Sequence, residues 1–321
     1  MNKKVQQIAT SFRDALGFPQ VTSKSGAELL FDNDLFSALF RERFGIASEN
    51  KESFNAAFRD VTEGVGGEIT KINSVTSSAL LPLLFFYKLY HPQEGKSIFL
   101  TLDNKKYEFT RAFYEVRNNV VRIPSCVDIA LVSHDENIIL FLESKLTEFY
   151  EDTKEQKEYG SSYKPLYEKN GIKSTLKNSG ITIDEDAQNL ILLSNNKPVY
   201  IEGIKQTISH LIGLVKGPQE AKDQEDYISA YNRAKHLIYS PILYDTTNIL
   251  GGDSNEYTSF FSLYSNVIGL HGDNIIKDIQ EWTKINCGKS IEVRQSVLTY
   301  QELVKENPNW LDDKVKLFYR L

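Results

Sequence analysis

The chain has 321 residues, of which 41% are hydrophobic and 25% charged, with a formal net charge of −6. That is the profile of a globular protein able to bury a substantial core. The acidic balance excludes a general basic field for coating nucleic acid, but leaves room for an enzyme with a local basic cleft. Cys126 and Cys287 lie far apart without zinc spacing, which argues against a disulfide framework and for a reducing, cytoplasmic setting. The N-terminus lacks the unbroken apolar run of a signal peptide. The longest apolar run, residues 79–87, contains Pro82 and is too short to span a bilayer, so no membrane association is expected.

Residues 1–60 read as helices: Val5, Ile8, Phe12, Ala15 and Leu16 recur at helical spacing, as do Leu29, Leu35, Leu39 and Phe44. The glycines of residues 63–68 mark a loop, and neither GxGxxG after a strand nor GK(S/T) is present to make it a phosphate loop. Residues 69–88 look like one buried helix, with Ser77 and Ser78 near its start and Pro82 in its first turns. Hydroxyls there usually cap, and can also hold a phosphate against free backbone N–H groups. Strands are expected over 97–102 and 107–116. Residues 160–180 carry Lys164, Lys169, Lys173 and Lys177 against one acid, Glu168, with Tyr163 and Tyr167 interleaved. This is either a solvated helix face or an arm that contacts a nucleic-acid strand. A strand over 186–194, a helix over 202–215 and a strand over 235–244 suggest a mixed sheet with helices on both faces. Residues 256–283 read as helical with a break at 271–273, followed by a strand over 290–297 and short closing helices.

The chemistry concentrates in residues 124–150, which read as a hairpin. A loop of two or four residues about Asp135 and Glu136 makes paired positions sum to 271, which sets Asp128 opposite Glu143. Strand periodicity puts Lys145 on the face of Glu143. Both strands are otherwise apolar on both faces, the pattern of a buried central pair. Two acids there repel and resist desolvation. A divalent cation relieves both effects, and oxygen ligands suit Mg²⁺. A structural ion pair between Lys145 and Glu143 is the competing reading.

Pro124…Asp128 followed by Glu143-Ser144-Lys145 resembles the PD-(D/E)xK nuclease superfamily, although the proline here stands four residues before the acid. The string Glu143-Ser-Lys-Leu-Thr-Glu-Phe-Tyr150 is similar to a bacterial subgroup with an ESK-(F/L)-TE-x-Y signature. An upstream acid before a hydroxyl-rich helix start (Glu68, then Ser77 and Ser78) and a later Q-x-x-x-H (Gln206, His210) also fit that subgroup. The resemblance covers roughly residues 64–214. It implies an α/β fold: a restriction-endonuclease-like mixed sheet flanked by helices, with helical additions at both ends. A helical segment (1–60), a nuclease core (61–217) and an α/β extension (218–321) packed on that core would follow.

The implied activity is Mg²⁺-dependent hydrolysis of DNA, with Mn²⁺ able to substitute and a restriction or other defence role in view. Asp128, Glu143 and the Ser144 carbonyl would hold the metal, and Lys145 would act on the attacking water and on the developing charge. Glu68, or failing it Glu63, would add an acid, and Gln206 would support the site. Ser77, Ser78, Lys164 and Lys173 would contact substrate phosphate. Double-stranded DNA is the expected partner, and a homodimer would match its symmetry. The alternative is a non-catalytic nucleic-acid-binding or assembly protein on the same fold. The five histidines show no HxH or HExxH spacing, which argues against a zinc hydrolase.

Overall fold

The structure, a computed structural model, describes residues 2–23, 28–31, 37–63, 69–90, 95–121, 123–150, 171–178, 181–184, 191–194, 197–198 and 201–321. Helix α1 (Lys3–Leu16) starts where the Asn2 side chain accepts the Lys4 N–H and buries Val5, Ile8, Ala9 and Phe12. Helices α2 (Ser37–Phe44), α3 (Lys51–Glu63) and α4 (Leu80–Phe86) follow, the last buried on every side. The continuous helix expected over 69–88 is not formed. A short helix, Ile69–Ile72, stops where the Asn73 side chain bonds both the N–H and the C=O of Phe31. The chain restarts helically at Leu80, whose N–H is capped by the Ser77 hydroxyl at 3.0 Å. Local side-chain bonds to backbone have here outcompeted helix propagation.

The main sheet begins with β1 (Ile98–Leu102), β2 (Lys105–Asn118), β3 (Ser125–Ser133) and β4 (Ile138–Lys145), an antiparallel meander. Helices α5 (Ile201–Lys216) and α6 (Glu225–Arg233) then cross over to β5 (His236–Leu243), which lies parallel to β4. Two shorter strands, β6 (Ser290–Val293) and β7 (Leu298–Thr299), pair in parallel with the other edge of β5. Pro241 is tolerated in this central strand because it stands between the two: Tyr239 pairs with Val293 and Ile242 with Leu298. Its missing N–H falls where no ladder bond is required. The result is a mixed α/β fold around a curled sheet. Asp103, in the β1–β2 turn, comes within 4.0 Å of Arg294, just beyond β6 at the opposite edge.

Helices cover both faces. On one, Tyr227 of α6 packs against Phe113 and Phe141, and His210 of α5 against Tyr239. On the other, Tyr300 meets Phe85 of α4 and its hydroxyl bonds the Ser144 hydroxyl at 2.9 Å. Residues from the two ends of the chain share this second layer, where Phe12 packs against Tyr244, Phe318 and Tyr319.

Two further expectations are corrected. The strand expected over 186–194 is formed at 191–194, but it lies in a separate antiparallel sheet with Ile181–Asp184 and Lys197–Pro198, outside the main mixed sheet. The break expected at 271–273 lies inside the continuous helix α8 (Leu270–Thr283), which follows α7 (Asn255–Tyr264) through a π turn, Ser265–Gly269. Gly272 serves packing there: a Cβ at that position would sit 2.7 Å from the Val293 Cβ. No helix among the described residues is long and apolar enough to cross a membrane.

Candidate active site at the open end of the central hairpin

The β3–β4 register follows the sum of 271, as in Ile129↔Leu142 and Val132↔Ile139. The last pair before the strand ends is Ile129↔Leu142, so Asp128 and Glu143 are the first residues beyond it. Strand β4 nevertheless stays paired with β5 as far as Leu243↔Lys145. The hairpin therefore forks: β3 leaves while β4 continues.

Backbone geometry explains what occupies the fork. The Lys145 carbonyl accepts the Tyr244 N–H at 3.0 Å and so points toward β5. A strand residue directs its N–H and C=O to the same side, and successive residues alternate. Ser144 therefore turns both groups toward β3, and its N–H is taken by Asp128 Oδ2 at 2.7 Å. The Asp128 carboxylate stands in for the missing strand partner. The Ser144 side chain points the other way, to Tyr300.

Glu143 and Lys145 share the α5 face. Glu143 is 3% exposed and Lys145 6%, and Lys145 Nζ donates to Glu143 Oε1 at 2.7 Å. His210, 2% exposed, brings Nε2 to 3.0 Å from Glu143 Oε2. The N–H does not point straight at the oxygen, so both atoms are buried without a full hydrogen bond and Oε2 keeps acceptor capacity. On the far side of the imidazole, Nδ1 meets the Ser125 hydroxyl in a short hydrogen bond.

A third acid enters from β2. Tyr114↔Ile129 and Val116↔Val127 bracket Glu115 and Asp128, which sets the two opposite each other. Glu115 has a left-handed backbone, φ 47°, rare for a residue with a long side chain, and is half-buried. Three carboxylates thus stand in one row across three adjacent strands.

Electrostatics separates them. Burial, then Glu143, then Glu115 push the Asp128 carboxyl well above its ordinary range, against the opposing pull of Lys145 and the Ser144 N–H. Burial works the same way on Glu143, but Lys145 and then His210 outweigh it and hold that carboxyl down to about 2. Cys126, half-buried and free, is pushed up to about 11 by burial and then by Glu115, and so stays a thiol.

Of the residues singled out from sequence, the fork gathers Asp128, Glu143, Ser144 and Lys145. Gln206 is half-buried on α5 and, among the described residues, makes no hydrogen bond to these carboxylates; His210, one turn later, does the touching. Glu63 is exposed at the end of α3. Ser77 is buried with its hydroxyl engaged in capping, and Ser78 is half-buried. Lys173 lies on the helix Ile172–Asn178, which begins beside Asp278 of α8. Glu68 and Lys164 fall outside the described residues.

The donor chemistry of the fork fits a hard divalent cation. It combines the carboxylates of Asp128 and Glu143, the second with a buried oxygen that keeps acceptor capacity, and an inward-facing Ser144 carbonyl. Among the described residues no set of three or more His, Cys, Asp or Glu side chains is gathered closely enough to hold a metal, so the carbonyl and solvent would complete the shell. No protein-family model, no curated protein and no solved structure matches the chain.

Proposed function

We propose that this chain is a Mg²⁺- or Mn²⁺-dependent nuclease that hydrolyses DNA phosphodiester bonds at the hairpin fork. The observation that carries the reading is the meeting of Asp128 with the Ser144 backbone beside the Glu143–Lys145 pair, at the point where β3 leaves β4. A fold does not gain stability by gathering like charges in a buried strand pair. The resemblance of Glu143-Ser144-Lys145 and Asp128 to the PD-(D/E)xK pattern supplies the reaction class and the preference for DNA.

Asp128, Glu143 and the Ser144 carbonyl hold the cation, which when bound supplies Lewis acidity, making water more acidic and offsetting charge on the phosphate. Lys145, held at Glu143 Oε1, places a positive charge beside the reacting phosphate and orients the attacking water. Glu115, opposite Asp128, adds negative potential that favours cation capture. A homodimer would bring two forks to the two strands of a duplex.

The test combines cation binding with cleavage. Calorimetric titration with Mn²⁺ should show a site that is lost in Asp128→Asn and in Glu143→Gln. Cleavage of plasmid DNA should need Mg²⁺ or Mn²⁺ and fall about 10²- to 10³-fold in Lys145→Met. The alternative, a non-catalytic nucleic-acid-binding or assembly protein, draws on the closed, buried Lys145–Glu143 pair. It gains if wild-type protein binds DNA but no cation, an outcome that would also sink the nuclease reading.

A further inference from the structure

We infer that His210 is the positioning residue for Glu143, and that Ser125 and Gly213 exist in their places to hold His210 there; this rests on the cation-dependent reading of the fork. A glutamate at the open end of a strand pair has three side-chain torsions. Lys145 holds only Oε1, and from the same strand. One contact leaves the carboxylate free to swing about it. His210 reaches Oε2 from a different element, α5, so the carboxylate is approached at both oxygens from two directions.

The ring is itself held. A carboxylate only accepts, so Nε2 presents its N–H on the Glu143 side, while Nδ1 is engaged by the Ser125 hydroxyl. That contact fixes which nitrogen faces the carboxylate. Tyr239 lies against the ring with centroids 5.8 Å apart and planes inclined by 37°. Ser125 opens β3 three residues before Asp128, so the clamp ties the two carboxylate-bearing strands to one helix.

The closeness of α5 has a visible cause. Gly213 lies three residues beyond His210, and a Cβ there would come within 2.7 Å of the Asn118 Cβ and 3.5 Å of the Ser125 Cβ. Only a residue without a side chain lets the helix backbone approach the β2 and β3 ends this far. A ligand carboxylate oriented by a partner that is itself hydrogen-bonded is the arrangement by which an outer layer of residues tunes a metal site.

The experiment uses the full chain and Mn²⁺ alone as probe, read by calorimetry, with metal-free melting as the control for folding and plasmid cleavage as a second readout. His210→Ala should weaken Mn²⁺ binding about 10- to 100-fold and lower kcat more than it raises KM for DNA. His210→Gln, whose amide N–H can reach the Nε2 position, should restore affinity to within about threefold of wild type. A merely structural histidine would give no such rescue at matched melting temperature. If His210→Ala does not fold, Ser125→Ala carries the test, because it frees the ring without opening the core; a loss of about threefold or more is expected. Unchanged Mn²⁺ affinity in His210→Ala or Ser125→Ala, with Glu143→Gln still abolishing binding, overturns the role of His210 and leaves the fork intact as a cation site. Absence of Mn²⁺ binding in wild type overturns both.

Discussion

The two ends of one hairpin carry an aspartate each, and the two behave in opposite ways. At the turn, Asp135 accepts from the Ser133 hydroxyl at 2.6 Å and from the Asn137 side chain at 2.9 Å and backbone N–H at 3.2 Å. Those bonds, the Asn137 side chain foremost, draw its carboxyl down to about 2. At the fork, Asp128 accepts one backbone N–H among the described residues, that of Ser144, and burial with two neighbouring acids drives its carboxyl up. The same residue type closes the hairpin where donors surround it and strains the hairpin where acceptors do. On the proposed reading, a cation would relieve the strained end and do nothing for the other.

The sharpest way to break this contrast is to exchange each aspartate for its amide. Asp128→Asn should abolish Mn²⁺ binding and reduce cleavage about 10³-fold, whereas Asp135→Asn should change neither measurably. Equal losses at both ends would mean that the hairpin matters only as scaffold. Next in size is Gly213→Ala. Its Cβ would meet Asn118, and overpacking of this kind costs about 1–3 kcal/mol. Melting should fall by several degrees and Mn²⁺ affinity should fall with it, because the helix that retreats from β2 and β3 also carries His210.

A smaller effect concerns pH. Asp128 titrates higher in the folded chain than in the unfolded one, so the folded state binds its proton more tightly. That contribution to stability is complete at low pH and is lost as pH rises through the elevated folded value. Asp128→Asn can keep the Ser144 bond without the charge. In metal-free protein near pH 8 it should raise the melting temperature by about 2 °C, with the gain shrinking toward acid pH. Saturating Mn²⁺ should reverse the order, since only wild type gains from it. A melting temperature lowered by the substitution under metal-free conditions would contradict the account of the fork. The smallest effect belongs to Asp135, whose depressed carboxyl stabilises the fold above its unfolded range and ceases to do so as pH falls toward about 2. Because this side chain is exposed, Asp135→Ala should lower melting by only about 1 °C at neutral pH, with or without metal.

The hairpin is legible in the sequence because its information is local. An even loop sets the pairing sum and a period of two puts Lys145 on the face of Glu143; the observed register keeps that sum as far as Ile129↔Leu142, and the strands part at the next step, where Asp128 and Glu143 stand. Helix α5 is legible for the same reason, its apolar stripe of Ile204, Ile208, Leu211, Ile212 and Val215 repeating at helical spacing. What fails is whatever depends on competition between local and distant partners. Asn73 and Ser77 end a helix that periodicity alone would continue. The glycine at 272, which reads as a breaker, answers to Val293 on another element.

The residues around the acids divide along the same line. Asp128, Glu143 and Lys145, the reason to suspect a metal at all, follow from spacing on adjacent strands, because side-chain direction in a strand repeats with the backbone. Glu115, Ser125 and His210 cannot be placed that way. Glu115 depends on the β2–β3 register across a connection of irregular length, and on a left-handed backbone that periodicity does not reveal. His210 is distant from Glu143 in the chain and reaches it only because α5 crosses the sheet face and Gly213 lets it settle against Asn118 and Ser125. A linear pattern can specify which face a side chain takes. How closely a second element approaches that face is set by the packing of the whole domain.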